Sequence, residues 1–240
     1  MKKIIITAGG TSEKIDNVRK ITNSSSGKLG MTIANHFLKS NEDYYIYYVC
    51  SKGSLRPCHD KVKIIEIDGT FDLKCVVEEL LVREKIDCFI HSMAVSDYTT
   101  DFVTTVERIK ESIRREDDLD TAFNSIECLS GTKISSYENN LVIFLKPTPK
   151  IIPLIKKLSP ETFLVGFKLL DDVSREELIS VAKKLRDKNN CDLVVANDLK
   201  NIRNGKHIAY LIGKDDEVEE AIGKDDIAKM LVHKIKKNSI

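Results

Sequence analysis

Two runs of small residues near the start of the chain carry the residue types that capture phosphate. They are Thr7-Ala8-Gly9-Gly10-Thr11, directly after the apolar run Ile4-Ile5-Ile6, and Asn23-Ser24-Ser25-Ser26-Gly27-Lys28-Leu29-Gly30. Backbone N–H groups at a helix start face an anion, and glycine lets a phosphate come close to the main chain. The second run is not a P-loop: no Gly lies five residues before Gly27-Lys28, and Leu29 stands where Ser or Thr is required. The GxGxxG spacing of dinucleotide sites is also missing. A tight turn with a serine helix cap is the competing reading. Between the runs, Arg19 has the planar fork that clamps a phosphate or carboxylate, and Asn23 offers a donor and an acceptor to a reacting acyl group. For Arg19 alone, a solvated loop competes.

Further candidates sit at the ends of apolar runs. In His91-Ser92-Met93-Ala94-Val95-Ser96-Asp97-Tyr98 the small residues let a flat base or a ribose lie against backbone. Asp97 there suits a ribose hydroxyl or a metal, or simply caps a turn, and the lone His91 reads as structural. Gly131-Thr132-Lys133 and Leu145-Lys146-Pro147-Thr148-Pro149-Lys150 supply lysines that are either solvated or positioned to neutralise a triphosphate. Val165-Gly166-Phe167-Lys168 and Val195-Ala196-Asn197-Asp198 add an aromatic face, a cation and an amide. Each is a weak signal alone, and the shared position at strand ends gives them weight.

The elements that must position these residues follow from periodicity. Apolar runs predict strands near 3–7, 44–50, 62–67, 86–92, 141–146, 162–167, 191–196 and 207–212. Amphipathic stretches predict helices at about 25–39, 71–84, 148–158, 174–188 and 223–237. Ser174 with Glu177 makes a capping box, and Thr148-Pro149 places proline at a first helical position. Alternating strands and helices give an α/β fold with a doubly wound, mostly parallel sheet, whose ligands gather at the carboxyl ends of the strands. Residues 99–136 interrupt the alternation as a long polar flap, with a helix fitting Thr105 to Asp118. In the tail, Asn204-Gly205 signals a hairpin, so a small antiparallel extension over 200–219 is expected, with a subunit contact as its use.

Length and composition set the outer bounds. A chain of 240 residues fits one domain over 1–240. Lys plus Arg total 38 against 37 Asp plus Glu, so a formal charge of +1 provides no global field for nucleic acid or an anionic membrane. Anions must be caught locally. The six cysteines form no CxxC pair and read as buried, reduced thiols of a cytoplasmic protein. No apolar run approaches the roughly 18 residues of a membrane span.

Taken in order and spacing, Thr7 to Thr11, Ile15-Asp16-Asn17-Val18-Arg19, Ile21-Thr22-Asn23 and Ser25 to Gly30 resemble the opening signature of phosphopantothenate-cysteine ligase. The resemblance continues through Ala94 to Tyr98, Lys133-Ile134, Gly166 to Lys168 and Ala196 to Asp198. It implies a Rossmann-like fold and an enzyme that joins 4'-phosphopantothenate to L-cysteine through an acyl-nucleotide, releasing pyrophosphate, in coenzyme A biosynthesis. CTP is the implied co-substrate, ATP the alternative, and Mg²⁺ accompanies either. By the same resemblance Asn23 and Lys133 are catalytic, and Arg19, Asn23, Met93 and Ala94 bind the acid. Gly9, Gly10, Ser25, Ser26, Gly27, Asp97, Tyr98, Phe167, Lys168 and Asn197 surround the nucleotide, with Asp97 also a metal candidate. A homodimer is implied too. Met1 stands directly before the first strand, so the stand-alone form is expected rather than one fused behind a flavin-dependent decarboxylase. The segment from Asp97 to Lys133 is longer than in the fused enzymes, and Ile134 follows Lys133 where those carry a second lysine. Two other functions fit the fold pattern alone: a dinucleotide-dependent oxidoreductase and a non-catalytic nucleotide-binding module.

Overall fold

The computed structural model describes residues 1–129 and 131–238; Ser130, within the expected flap, lies outside the described residues. The chain opens with β1 (Lys2–Ala8), the short pair β2 (Ser12–Lys14) and β3 (Lys20–Thr22), and α1 (Lys28–Leu38). Then come β4 (Tyr44–Ser51), β5 (Val62–Ile67), α2 (Thr70–Arg83), β6 (Cys88–His91), β7 (Tyr98–Thr105), α3 (Val106–Arg115), α4 (Leu119–Asn124) and β8 (Leu141–Pro147). The last part runs α5 (Ile152–Leu158), β9 (Phe163–Leu170), α6 (Arg175–Asn189), β10 (Leu193–Asp198), α7 (Leu199–Arg203), β11 (Ile208–Gly213), β12 (Val218–Ile222) and α8 (Lys224–Lys237).

One eight-stranded sheet has the order β12-β11-β10-β9-β6-β1-β4-β5. The strands from β5 to β10 in that order run parallel, and β11 and β12 add antiparallel at one edge. Ile4 and Ile6 pack with α1 and α8 on one face, while Ile5, Phe89 and Leu164 pack with α2, α5 and α6 on the other. Burial on both faces is why these strands read as unbroken apolar runs. The order reverses at β1, whose neighbours are β4 and β6. A crevice outside the carboxyl ends of β1 and β6 follows from that reversal. This is the expected doubly wound, Rossmann-like sheet with its antiparallel extension.

Several local expectations need correction. The strand expected at 141–146 is not in the main sheet: β8 pairs antiparallel with β7 as a separate ribbon. The flap is therefore an arm, with α3 and α4 at its far end. Helix α3 falls within the expected Thr105 to Asp118, its start capped by the Thr105 hydroxyl, which accepts from Arg108 N–H at 3.3 Å. Asp118 caps α4 in the same way, accepting from Thr121 N–H at 2.9 Å. Pro149 does not begin a helix, because Thr148 is tied back to the Ser96 and Asp97 carbonyls and keeps the chain extended; Pro153 takes the first-turn position of α5. Asn204-Gly205 is not the hairpin turn either. Gly205, at φ 77°, closes α7, and the turn between β11 and β12 holds Asp216 at φ 64°. Ser174 caps α6 by accepting from Glu177 N–H at 3.1 Å. The cysteines divide: Cys50, Cys88 and Cys191 are buried, but Cys58, Cys75 and Cys128 are exposed, and all six are free.

Two aromatic contacts separate the core from the arm. Phe37 of α1 is fully buried and meets Tyr44 edge-on at 5.0 Å. Phe144 of β8 stacks on Phe102 of β7 at 4.4 Å, outside the main sheet. Phe37→Ala is expected to lower global stability by about 3–5 kcal/mol. Phe144→Ala should raise amide exchange over residues 98–147 while β1 and β4 stay protected; faster exchange throughout the central sheet would contradict this division.

Candidate active site

The site is built on a close approach between loops. After β1 the chain turns at Gly9, with φ 88°, and a side chain there would strike the Ser51 and Ser54 hydroxyls. At Gly10 a Cβ would lie 1.8 Å from the Asn23 carbonyl oxygen. Gly27, with φ 72°, forms the N-cap of α1 and packs against Ser54 and Gly9. Only glycine permits the first loop to support the second in this way. The second loop then presents Ser24, Ser25 and Ser26 to the crevice at the start of α1. Asn23 is held by its main chain, which donates to the Thr11 carbonyl at 3.1 Å. Its carboxamide has no hydrogen-bond partner among the described residues.

The loop after β6 is fixed to the first loop by main-chain bonds. Ala94 N–H donates to the Gly9 carbonyl at 2.9 Å, and Thr11 N–H donates to the Ala94 carbonyl at 3.1 Å. Beneath them a buried polar network satisfies itself: Ser96 N–H donates to Thr11 Oγ1 at 2.8 Å, and Thr70 N–H and Oγ1 both donate to Glu13 Oε1 at 2.9 and 2.8 Å. A fully partnered network of this kind holds a loop in one conformation. His91 lies at the β6 end with Nδ1 2.8 Å from Thr7 Oγ1, and burial pushes its pKa down to about 4. It is neutral at physiological pH.

Together these segments line a crevice of about 580 Å³, of the size that takes a nucleotide-sized ligand. Of the residues expected from the sequence, Ser25, Ser26, Met93, Ala94, Asp97, Phe167, Lys168 and Asn197 line it. Gly9, Gly10, Gly27 and Asn23 do not line it: the three glycines are buried behind the serine loop, with Asn23 against Gly10. Tyr98 is exposed and starts the arm. Arg19 and Lys133 are not at the crevice wall. The Arg19 guanidinium donates to the Ile134 carbonyl at 2.5 Å and lies 3.5 Å from Asp16, and Asn17 N–H donates to the Thr132 carbonyl at 3.0 Å. Asp16 in turn accepts from Ile134 N–H at 3.1 Å. Main-chain hydrogen bonds, the one from Val18 first, hold the Asp16 carboxyl below its ordinary pKa. Lys133 thus sits on a latch between the arm and the β2–β3 loop.

Charge is concentrated in the crevice although the chain is nearly neutral. Lys28, Lys150, Lys168 and Lys224 line it, and Asp97 is its one acidic residue among those described. Asp97 is paired with Lys150. Lys28, Lys168 and Lys224 have no acidic partner among the described residues. A crevice with this balance attracts a polyanion. No cluster of three metal-ligating side chains occurs among the described residues, so a divalent cation would need oxygens from a ligand besides Asp97. Sequence reading missed Leu185 of α6, Leu199 and Ile202 of α7, His207, and Lys224 at the start of α8, all of which line the crevice. Gly223 before a helical pattern was the one available signal, for Lys224. His207 had none.

Neutral burial of His91 has a consequence for acid stability. The unfolded imidazole titrates near 6.5 and the folded one near 4, so between those values the unfolded state binds the extra proton. Stability therefore falls as pH drops from about 6.5 towards 4. In thermal melts, His91→Gln should flatten part of this fall; an unchanged profile would show that His91 titrates alike in the folded and unfolded states and contradict its neutral burial.

Comparison with known proteins agrees with this architecture. The chain matches the model of the DNA/pantothenate metabolism flavoprotein C-terminal domain over residues 1–126 and 122–239. It is 34% identical over 214 residues to the coenzyme A biosynthesis bifunctional protein CoaBC of Thermococcus kodakarensis, covering 89% of this chain and 45% of that protein. With CoaBC of Methanocaldococcus jannaschii it shares 30% identity over 237 residues, 98% of this chain and 50% of the relative. The chain spans about half the length of these curated relatives. The crystal structure of the DNA/pantothenate metabolism flavoprotein from Streptococcus pneumoniae aligns with a TM-score of 0.86 and 38% identity, covering 99% of this chain and 100% of that one. A Cab2 mutant in complex with phosphopantothenate-cysteine shares the fold at a TM-score of 0.70 and 18% identity, over 99% of this chain and 86% of that one. No helix among the described residues is long and apolar enough to cross a membrane. Matched over both halves by one model and by a relative above 30% identity, the chain belongs to the family of the DNA/pantothenate metabolism flavoprotein C-terminal domain.

Proposed function

We propose that the chain is a phosphopantothenate-cysteine ligase of coenzyme A biosynthesis, acting in the cytoplasm with CTP as the activating nucleotide. The observation that carries this reading is the lysine-lined crevice at the strand-order reversal, with three of its four lysines lacking an acidic partner among the described residues. Relatives named for coenzyme A biosynthesis support it. The activity joins two anions before it joins an amine. The acid's carboxylate attacks the α-phosphorus of the triphosphate, and the bond to the pyrophosphate breaks. Cysteine's amine then attacks the acyl carbon, the nucleoside monophosphate leaves, and the amine gives up a proton. Both substrates repel each other until cations screen them, which is the work assigned to Lys28, Lys168 and the flap's Lys133.

In this scheme Ser25 and Ser26 meet the phosphates, backed by Gly9, Gly10 and Gly27. The free Asn23 carboxamide holds the acyl group, with Met93 and Ala94 beside it. Phe167 and Asn197 flank the nucleoside, and Asp97 and Tyr98 take the ribose or a Mg²⁺ ion that arrives with the triphosphate. For Arg19 to bind the acid, its bond to the Ile134 carbonyl must open, so substrate binding and release of the arm are coupled. A homodimer belongs to the same proposal, with the antiparallel extension around 200–219 as its contact.

Pyrophosphate release requiring both phosphopantothenate and a triphosphate is the expected result, faster with CTP than with ATP. Asn23→Ala should lower turnover by about 100-fold, as loss of one positioned polar group at a developing charge does, with an unchanged melting temperature. No pyrophosphate with either nucleotide from folded protein would overturn the reading, and full turnover by the variant would overturn the role of Asn23.

A further inference from the structure

We propose that His207 and Lys224 form a second phosphate-binding part of the crevice, distinct from the serine loop, that takes a terminal phosphate of one of the two substrates. Both ring nitrogens of His207 are buried without a hydrogen-bond partner among the described residues, although the residue lines the crevice. Its main chain, in contrast, is held by hydrogen bonds at its own and the following carbonyl. The His207 carbonyl accepts from Gly223 N–H at 2.7 Å, and the neighbouring Ile208 carbonyl accepts from Asn197 Nδ2 at 3.0 Å. The first of these bonds places His207 beside the start of α8, where Lys224 lines the same crevice without an acidic partner among the described residues. Buried polar groups in folded proteins are satisfied, so an imidazole held in place with both nitrogens idle calls for a ligand.

The surroundings select the ligand's chemistry. Burial, and then the charge of Lys224, hold the His207 pKa down at about 4, so the free ring is neutral and offers one donor. A phosphate oxygen accepts that donor and neutralises Lys224 in the same step. A nucleobase edge would pair with the ring but leave the ammonium without a counter-charge. Two sources of phosphate are open, the triphosphate tail and the 4'-phosphate of the acid. This inference names a subsite within the proposed ligase site and rests on that reading for its substrates, whereas the pairing of His207 and Lys224 with an oxyanion does not.

Isothermal titration with inorganic pyrophosphate, CTP, ATP, phosphopantothenate and pantothenate separates these outcomes. His207→Phe and Lys224→Met should each weaken pyrophosphate binding at least tenfold. They should weaken either both triphosphates alike or phosphopantothenate, and pantothenate should bind no better to the native protein than to the variants. His207→Gln, which keeps a donor and an acceptor, should retain most of the affinity. In the folded native protein, the ring ¹⁵N shifts of His207 should respond to pyrophosphate more than those of the other four among its five histidines. Unchanged affinities in both loss variants, a change confined to the CTP to ATP ratio, or silent His207 shifts would overturn the subsite. Loss of pyrophosphate affinity in a protein that shows no ligase turnover would leave the subsite standing and remove the ligase reading.

Discussion

The closeness of Gly10 to the Asn23 carbonyl governs the rest of the site. A hydrogen atom in place of a side chain lets the loop after β1 lie against the loop that begins α1. Three consequences follow from that contact. Asn23 is placed with its main chain used and its carboxamide free, the serine run is presented at a helix start, and the loop after β6 is bonded to the outer side of the same turn through Gly9, Thr11 and Ala94. The strand-order reversal at β1 opens the space, and the glycine contact determines what faces it.

Electrostatics then gives the space its selectivity. The chain as a whole is nearly neutral, yet Lys28, Lys168 and Lys224, which have no acidic partner among the described residues, meet in the crevice where β1, β6, β9 and β10 end and where α8 begins. Local concentration of charge in a cleft acts on a small anion without making the surface attractive to nucleic acid. Asp97 and Lys150 cancel each other at the rim, so the net field is set by Lys28, Lys168 and Lys224. The arm carries a further cation, Lys133. Its return segment is latched to Asp16, Asn17 and Arg19 by main-chain and guanidinium bonds, contacts that solvent or a carboxylate can replace.

Much of this was legible in the sequence, for physical reasons that also explain the misses. Ile4 to Ile6 and the run around Cys88 to Ile90 are buried on both faces, so their strands stand out as apolar runs. Leu141 to Leu145 looks the same on paper, but its partner is the polar β7, with Thr99, Thr100 and Asp101, and no local pattern distinguishes an arm strand from a core strand. Asn204-Gly205 supplies a positive φ, which ends a helix as readily as it turns a hairpin. Within the site, the small-residue loops announced themselves because glycine and serine runs are rare beside core strands. Arg19 and Ile134 are 115 residues apart, and His207 reaches the crevice only through the antiparallel edge. Both depend on tertiary placement that local sequence does not encode.

The most direct test of this account is the substitution Gly10→Ala, followed by nucleotide titration and circular dichroism. The added methyl group has no room beside the Asn23 carbonyl, so the serine loop must move while the sheet, packed elsewhere, keeps its structure. The account predicts native-like secondary structure with triphosphate affinity reduced at least tenfold. A folded Gly10→Ala protein that binds CTP or ATP as the native protein does would contradict it.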